Sequence, residues 1–143
     1  MDPFKQHETS EDLKNEDAVA QLMMQKWNCH AMKLPKHYRI DFALTRGGAI
    51  KAYAEVKCRS ITMQSSKVLI LGLAKACHLK MFANESNVPG LFVVRYTDGV
   101  YYLDISKQQF PIHYGGQMTR QRDNRDMEPV CQIPTQLLKR LDK

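Results

Sequence analysis

The sequence predicts a mixed α/β fold in which helices cover a β-sheet. Three observations lead to this prediction. An amphipathic helical stretch lies near the N-terminus, two hairpin patterns follow it, and a second helical stretch lies between the two hairpins. The chain has 143 residues, of which 43% are hydrophobic, so it is long enough to bury a core. We therefore expect residues 1–143 to form a single domain.

The first helix is expected from about Glu11 to Trp27. Residues on one side of it recur at steps of three and four, which is the spacing of a helix face. Ser10 is a suitable N-cap for this helix, and residues 1–10 are expected to form a flexible tail. The predicted stripe consists of Glu16, Val19, Ala20, Met23 and Trp27.

Residues 38–59 predict a β-hairpin. Apolar and polar residues alternate in two segments, which Arg46-Gly47-Gly48 separates. Opposed residues of an antiparallel pair lie on the same face, so matching the apolar residues fixes the register. The residue numbers of the matched pairs add up to an even number, which requires a bulge or an odd-length loop near the glycines. The matched pairs are Ile40 with Val56, Phe42 with Ala54, and Leu44 with Ala52.

The same register places Asp41 directly opposite Glu55, with Lys57 on the same face two residues further along. Opposed Cβ atoms lie about 5 Å apart, a distance at which two carboxylates repel each other unless a positive charge lies between them. Lys57 supplies one positive charge, and a divalent cation would supply more. Magnesium binds one or two carboxylates together with water and phosphate oxygens, so these acids are candidate metal ligands.

A second helix is expected from near Ser65 to Asn84. The dipeptide Asp98-Gly99 then predicts the turn of a second hairpin, with strands over Leu91–Thr97 and Val100–Ile105. Residues 107–143 give weaker signals, and we treat them as a C-terminal extension to which the sequence assigns no role.

Within this extension, a polar loop is expected from Gly115 through Arg125, followed by a short closing helix from Pro134 to Leu141. The loop contains three arginines, for which two interpretations are open: an ordinary solvated loop, or an arm that grips nucleic acid. These arginines are Arg120, Arg122 and Arg125.

Charge is distributed unevenly along the chain. The net charge is +6, yet residues 1–17 contain two lysines against six acids. Residues 18–84 contain eleven lysines and arginines but only two acids, Asp41 and Glu55. A basic stretch of this kind favours a polyanionic partner, and the isolation of the two acids favours a special role for them.

No apolar segment is long enough to cross a bilayer, and the N-terminus lacks the pattern of a secretory signal. A cytoplasmic protein without membrane contacts is therefore expected. The four cysteines include no Cys-x-x-Cys pair, so free thiols are expected and not zinc ligands. They are Cys29, Cys58, Cys77 and Cys131.

Asp41, followed by Glu55-Val56-Lys57 across a hairpin and preceded by a helix with an acid, resembles the PD-(D/E)xK nuclease superfamily. The likeness is to its Holliday-junction-resolvase and virus-type repair branches, and it covers roughly residues 11–106. It implies a restriction-endonuclease-like fold, a mixed β-sheet flanked by helices with an α-β-β-α-β core. One position departs from the motif, because Ile40 stands where proline often precedes the aspartate.

The resemblance also implies roles for the site residues. Asp41, Glu55 and the carbonyl of Val56 would bind Mg²⁺ or Mn²⁺, and Lys57 would orient or help to activate the attacking water. Glu16 of the first helix would be a further metal ligand. The implied reaction is hydrolysis of DNA phosphodiester bonds in phage or mobile-element DNA processing or repair, in the host cytoplasm if the protein is virus-encoded.

Several alternatives stay open at this point. The polar hairpin face is either the nuclease site or an ordinary solvated face. Glu16 is either a metal ligand or a first-turn acid favoured by the helix dipole, and in the second case Glu11 is the substitute ligand. The main alternative function is a basic nucleic-acid-binding module without turnover. DNA is expected before RNA, and a homodimer is one possible assembly. Candidate phosphate contacts are Lys51 and Arg59 on the hairpin, and Lys67 and Lys75 on the second helix.

Overall fold

The structure is a computed structural model that describes residues 10–116 and 127–143. The tail expected at residues 1–10 lies outside the described residues except for Ser10, and so do Arg120, Arg122 and Arg125 of the expected polar loop. The first helix already includes Ser10, which is therefore a helical residue and not the N-cap that the sequence predicted.

The secondary structure consists of two helices, nine strands and several short 3-10 turns within the described part of the chain. The helices are α1 (Ser10–Trp27) and α2 (Leu73–Ser86). The strands before α2 are β1 (His30–Lys33), β2 (Phe42–Arg46), β3 (Ala49–Cys58) and β4 (Val68–Gly72). The later strands are β5 (Gly90–Tyr96), β6 (Gly99–Asp104), β7 (Ile112–Gly116), β8 (Met127–Pro134) and β9 (Lys139–Arg140).

Six strands form a mixed sheet in the order β1-β2-β3-β5-β6-β9. Strands β3 and β5 are parallel, and α2 forms the connection between them, while the other neighbours are antiparallel. Helix α1 packs on one face through Val19 and Met23, and α2 packs on the other through Leu79 and Ala83. This arrangement confirms the predicted α/β class and the α-β-β-α-β order of the core.

The first hairpin has the predicted register in its central part, where Phe42 pairs with Ala54 and Leu44 pairs with Ala52. The register shifts by one residue after Leu44, and this shift leaves Lys51 as the extra residue of a bulge. The predicted register required such a bulge or an odd-length loop near the glycines. The expected pair of Ile40 with Val56 does not form, because pairing begins only at Phe42. Ile40 is buried instead in the apolar cluster on the α2 side of the sheet.

The second helix is shorter than the sequence predicted. Residues 65–72 are not helical: they finish a 3-10 turn, Met63–Ser65, and then form β4. In β4 the burial alternates, with Leu69 and Leu71 buried, which is the period of a strand. A short apolar run does not by itself distinguish a strand from a buried helix, and the partner that makes it a strand lies about sixty residues later in the chain.

That partner belongs to the C-terminal extension. Strand β8 pairs with β4 and with β7, so these three form a second, smaller sheet. The prediction of a loop at Gly115-Gly116 is therefore wrong, because both glycines belong to β7. The closing helix is also wrong: Thr135–Leu137 is a single 3-10 turn, and β9 follows it at the edge of the large sheet.

The second hairpin is present, but its turn is displaced by one residue. Tyr96 pairs with Gly99, so Thr97 and Asp98 form the two-residue turn and Gly99 belongs to β6. Both strands supply buried residues to the core, among them Phe92 and Val93 of β5 and Leu103 of β6. Among the helices that the structure describes, none has the length and apolar character needed to span a bilayer.

Candidate active site

Asp41 lies at the position where the pairing between β2 and β3 ends. Its carboxylate oxygen Oδ2 accepts a hydrogen bond of 2.8 Å from the backbone N–H of Val56. Its own carbonyl accepts a hydrogen bond from the N–H of Leu34, which fixes the backbone at this point. The Asp41 side chain thus accepts the hydrogen bond that a backbone carbonyl of a paired strand would otherwise accept from Val56. This bond holds the Asp41 carboxylate against β3.

The carbonyl of Val56 points to the same side of β3 as Asp41. The N–H and C=O groups of one strand residue point in the same direction, and this direction alternates along the strand. The N–H groups of Tyr53 and Arg59 donate to Pro89 and Arg95 on the β5 side. The two groups of Val56 therefore point to the β2 side, and its carbonyl oxygen joins the carboxylate of Asp41 beyond the end of β2.

Glu55 is buried, with only 5% of its side chain exposed. Its Oε1 atom lies 3.9 Å from Nζ of Lys75, while its Oε2 atom is buried and has no hydrogen-bond partner among the described residues. A solvated hairpin face would expose this carboxylate, so the structure excludes that interpretation for Glu55.

Burial, together with the smaller effect of the neighbouring Asp41 charge, raises the pKa of Glu55 from its ordinary 4.5 to about 9. The positive charges of Lys75 and Lys33 oppose this shift only in part. With no cation bound, Glu55 therefore keeps its proton at neutral pH. A divalent cation would remove the need for that proton.

Lys57 points from β3 towards β4, where its Nζ atom donates a hydrogen bond of 2.6 Å to the carbonyl of Ile70. Burial, together with the positive charges of Arg59 and Lys75, lowers the pKa of Lys57 to about 8, against an opposing effect of Glu128. The ammonium is thus held in one position beside Glu55 on the same face of the strand.

Glu16 lies on α1, on the other side of the sheet from α2, and it reaches the site through Lys33. The Lys33 ammonium contacts Oε1 of Glu16 and lies 3.5 Å from Oδ1 of Asp41. The side chains of Glu16 and Asp41 are 16% and 18% exposed, so both acids are largely covered. The predicted ligand Glu16 is therefore next to Asp41, with a lysine between them.

The four basic residues expected to contact phosphate differ in position. Arg59 and Lys75 surround Lys57 closely enough to lower its pKa. Lys51 is exposed at the bulge of β3, roughly 13 Å along the strand from Glu55. Lys67 is also exposed, and the sequence placed it wrongly on α2: it immediately precedes β4, and its carbonyl accepts a hydrogen bond from Thr135.

A cavity of about 290 Å³ opens at the site. Glu55, Lys57, Lys75 and Glu128 of β8 line it, and the Glu128 carboxylate occupies the space that a Cβ atom on Gly72 would need. No sequence pattern indicated a role for Glu128 or Lys33, since neither belongs to the hairpin motif. The pairing of β8 with β4 brings Glu128 to the site, and no local pattern predicts that pairing.

The donor set suits a hard divalent cation. Asp41, Glu55 and the Val56 carbonyl offer only oxygen atoms, and the buried Oε2 of Glu55 needs a positive partner. Within residues 10–116 and 127–143, no three side chains of His, Cys, Asp or Glu form a metal-binding group by themselves. The set therefore consists of two carboxylates and one carbonyl, and water and phosphate would have to complete it.

A mixed sheet flanked by helices, with Asp41 and a Glu-x-Lys strand at the end of its hairpin, defines the restriction-endonuclease-like class of nucleases. Residues 4–141 match the family described as "Phage putative PDDEXK endonuclease". The chain belongs to this family, and it is a nuclease of the PD-(D/E)xK class.

A solved structure with the same fold is that of Archaeoglobus fulgidus Hjc, described as a Holliday junction resolvase from an archaeal hyperthermophile. The TM-score is 0.57 over 90% of this chain and 92% of that chain, and the sequence identity is 14%. At this identity the similarity establishes the shared fold alone. No curated protein sequence matches the chain.

Proposed function

We propose that the protein hydrolyses DNA phosphodiester bonds with a Mg²⁺ or Mn²⁺ ion held by Asp41, Glu55 and the carbonyl of Val56. The observation that supports this most is the buried carboxylate of Glu55 beside Asp41, with an Oε2 atom that no described donor satisfies. Two acids this close, one of them buried, are costly unless a cation neutralises them.

When bound, the cation would lower the pKa of a water molecule and neutralise negative charge on the phosphate. Lys57, held by the carbonyl of Ile70, orients the attacking water and stabilises negative charge near it. The hydrogen bond from Val56 to Asp41 keeps that carboxylate in place. Glu16 is proposed as an additional ligand from α1, which would exchange its contact with Lys33 for the cation.

The proposed substrate is held mainly through its phosphates. Arg59 and Lys75 are the proposed inner contacts, because they lie around Lys57, and Lys51 and Lys67 are the proposed outer contacts. DNA is proposed before RNA because the family is described as a phage endonuclease and the structural neighbour is a Holliday junction resolvase. On the same basis we propose a role in phage DNA processing or repair, in the host cytoplasm.

Digestion of a supercoiled plasmid tests the proposal. Cleavage is expected with Mg²⁺ or Mn²⁺, no cleavage with EDTA, and restored cleavage when excess metal follows EDTA. The Asp41→Asn variant, purified in parallel, is the control for a contaminating nuclease. Cleavage that persists in Asp41→Asn would assign the reaction to a contaminating nuclease or to another site, and tight DNA binding without cleavage under either metal would favour the non-catalytic module.

We also propose that residues 1–143 form one nuclease domain. Cys131 and Ile133 of β8 pack in the same apolar cluster as α2 and β5, so the C-terminal extension shares its core with the large sheet. A two-fold homodimer is the proposed assembly, because it would place one site on each DNA strand. Light scattering after size exclusion measures the mass directly, and a monomer at all concentrations would exclude this assembly.

A further inference from the structure

Lys33 occupies a position that the nuclease motif does not describe. It is the last residue of the edge strand β1 and is paired with Phe42 of β2. Its ammonium contacts Oε1 of Glu16 and lies 3.5 Å from Oδ1 of Asp41. One positive charge thus connects the acid of α1 to the first acid of the hairpin.

The surroundings of Lys33 direct its side chain to this place. Its Nζ atom lies 5.4 Å from the centre of the Phe42 ring, a distance at which the ring attracts a cation. The side chain is still 44% exposed, so it can turn towards solvent at a modest cost when another cation takes its place. Its ammonium is therefore both well placed and able to leave.

We propose that Lys33 is the protein's own counter-ion for Asp41 and Glu16, and that it competes with the metal cation for these carboxylates. This inference rests on the proposed function, since it assumes that the metal binds at Asp41. A divalent cation bound at Asp41 would lie close to the Lys33 ammonium, and the two positive charges would repel each other. Metal binding therefore either displaces the Lys33 side chain or is weakened by this repulsion. Lys33 thereby weakens metal binding and stabilises the protein without metal.

The first test measures Mn²⁺ affinity by isothermal titration calorimetry. Replacement Lys33→Met keeps the apolar contact with Phe42 and removes the charge, and it is expected to tighten Mn²⁺ binding by about threefold to tenfold. Lys33→Arg keeps the charge and should bind as the unchanged protein does. Lys26→Met is the matched control, because Lys26 is an exposed lysine of α1 ten residues beyond Glu16.

The second test measures thermal unfolding and does not depend on catalysis. In EDTA, Lys33→Met is expected to unfold at a lower temperature than the unchanged protein, because Asp41 and Glu16 lose their counter-ion. Saturating Mn²⁺ should close most of this gap, since the metal then supplies the missing charge. In the Asp41→Asn background, the effect of Lys33→Met in EDTA should shrink, which is the coupling expected of two contacting residues.

Unchanged or weaker Mn²⁺ binding by Lys33→Met, while the unchanged protein binds through Asp41, would overturn the inference about Lys33. Equal Mn²⁺ binding by the unchanged protein and Asp41→Asn would overturn the metal assignment instead. In that case the unfolding measurements in EDTA still decide the counter-ion role. A Lys33→Met protein as stable as the Lys26→Met control under those conditions would reject it.

Discussion

The carboxylate of Asp41 and the backbone N–H of Val56 are joined by a hydrogen bond of 2.8 Å across the end of the first hairpin. This bond occupies the position that the next residue pair of the ladder would have occupied. It ends the pairing of β2 with β3 and leaves the Val56 carbonyl pointing into the space beside Asp41. The end of the hairpin thereby brings two oxygen-bearing groups, the Asp41 carboxylate and the Val56 carbonyl, close together.

The first prediction separates the structural role of Asp41 from its chemical role. Both Asp41→Asn and Asp41→Ala should abolish cleavage, because each removes the negative charge. Only Asn retains an oxygen that accepts from Val56, so Asp41→Ala should be less stable than Asp41→Asn by about 1 kcal/mol. Urea unfolding measures this difference, and equal stability of the two variants would show that the hydrogen bond does not contribute.

The second prediction concerns pH. The pKa of Glu55 is raised to about 9 in the folded protein, above its ordinary 4.5, so the folded state holds a proton that the unfolded chain releases. The stability of the metal-free protein should therefore fall as the pH rises from about 4.5 to 9.

Glu55→Gln cannot ionise and should remove most of this dependence. In EDTA at pH 8.5, the unfolding temperature of Glu55→Gln should be several degrees above that of the unchanged protein, since each kcal/mol of stability corresponds to roughly 2–4 °C. At pH 5 the two unfolding temperatures should be nearly equal. Differential scanning calorimetry across this range measures the effect. Parallel stability profiles for the two proteins would contradict a strongly raised pKa at Glu55.

The third prediction distinguishes metal ligands from the residue that acts on water. Lys57→Met should reduce the cleavage rate by about 100-fold or more, because it removes the ammonium near the attacking water. It should still bind Mn²⁺, since it removes no ligand, whereas Glu55→Gln should lose both cleavage and most Mn²⁺ binding. Rates at saturating metal, together with calorimetric titration, provide the comparison. Loss of Mn²⁺ binding in Lys57→Met would place Lys57 in a different role.

The fourth prediction orders the basic residues by their distance from the site. Lys75→Met should weaken DNA binding in EDTA and reduce the salt dependence of log K by about 0.9, the loss of one phosphate contact. Lys67→Met should have a smaller effect, because Lys67 is exposed before β4 and, unlike Lys75, does not line the cavity at the site. Fluorescence anisotropy with a labelled duplex at several salt concentrations measures both slopes. A steeper loss for Lys67→Met than for Lys75→Met would reverse the proposed order.

Several features of the fold and site could be predicted because they depend on neighbours along the chain. The alternation of apolar residues in the first hairpin fixed its central register and placed Asp41 near Glu55. The isolation of these two acids in a basic stretch pointed to the same place. The helix α1 and the second hairpin followed from periodicity and turn residues in the same way.

Other features required contacts between segments that are distant in sequence. The apolar run before α2 became a strand because β8 pairs with it, and this pairing also brought Glu128 to the cavity. The predicted Ile40–Val56 pair failed because the side chain of Asp41 took the hydrogen bond of Val56. The alternation of apolar and polar residues does not show that a side chain can take the hydrogen bond of a strand residue, because the pattern assumes that every residue pairs through its backbone.

The residues that make up the candidate hairpin could be identified from the amino-acid sequence, because strand register depends on a local pattern of apolar side chains. How those residues are buried and held depends on the packing of the complete fold. Three features depend on elements that are separated in the chain. They are the burial of Glu55, the hydrogen bond from Lys57 to Ile70 and the contact of Lys33 with Asp41. Desolvation and charge pairing depend on distance in space, and the packing of the whole fold sets that distance.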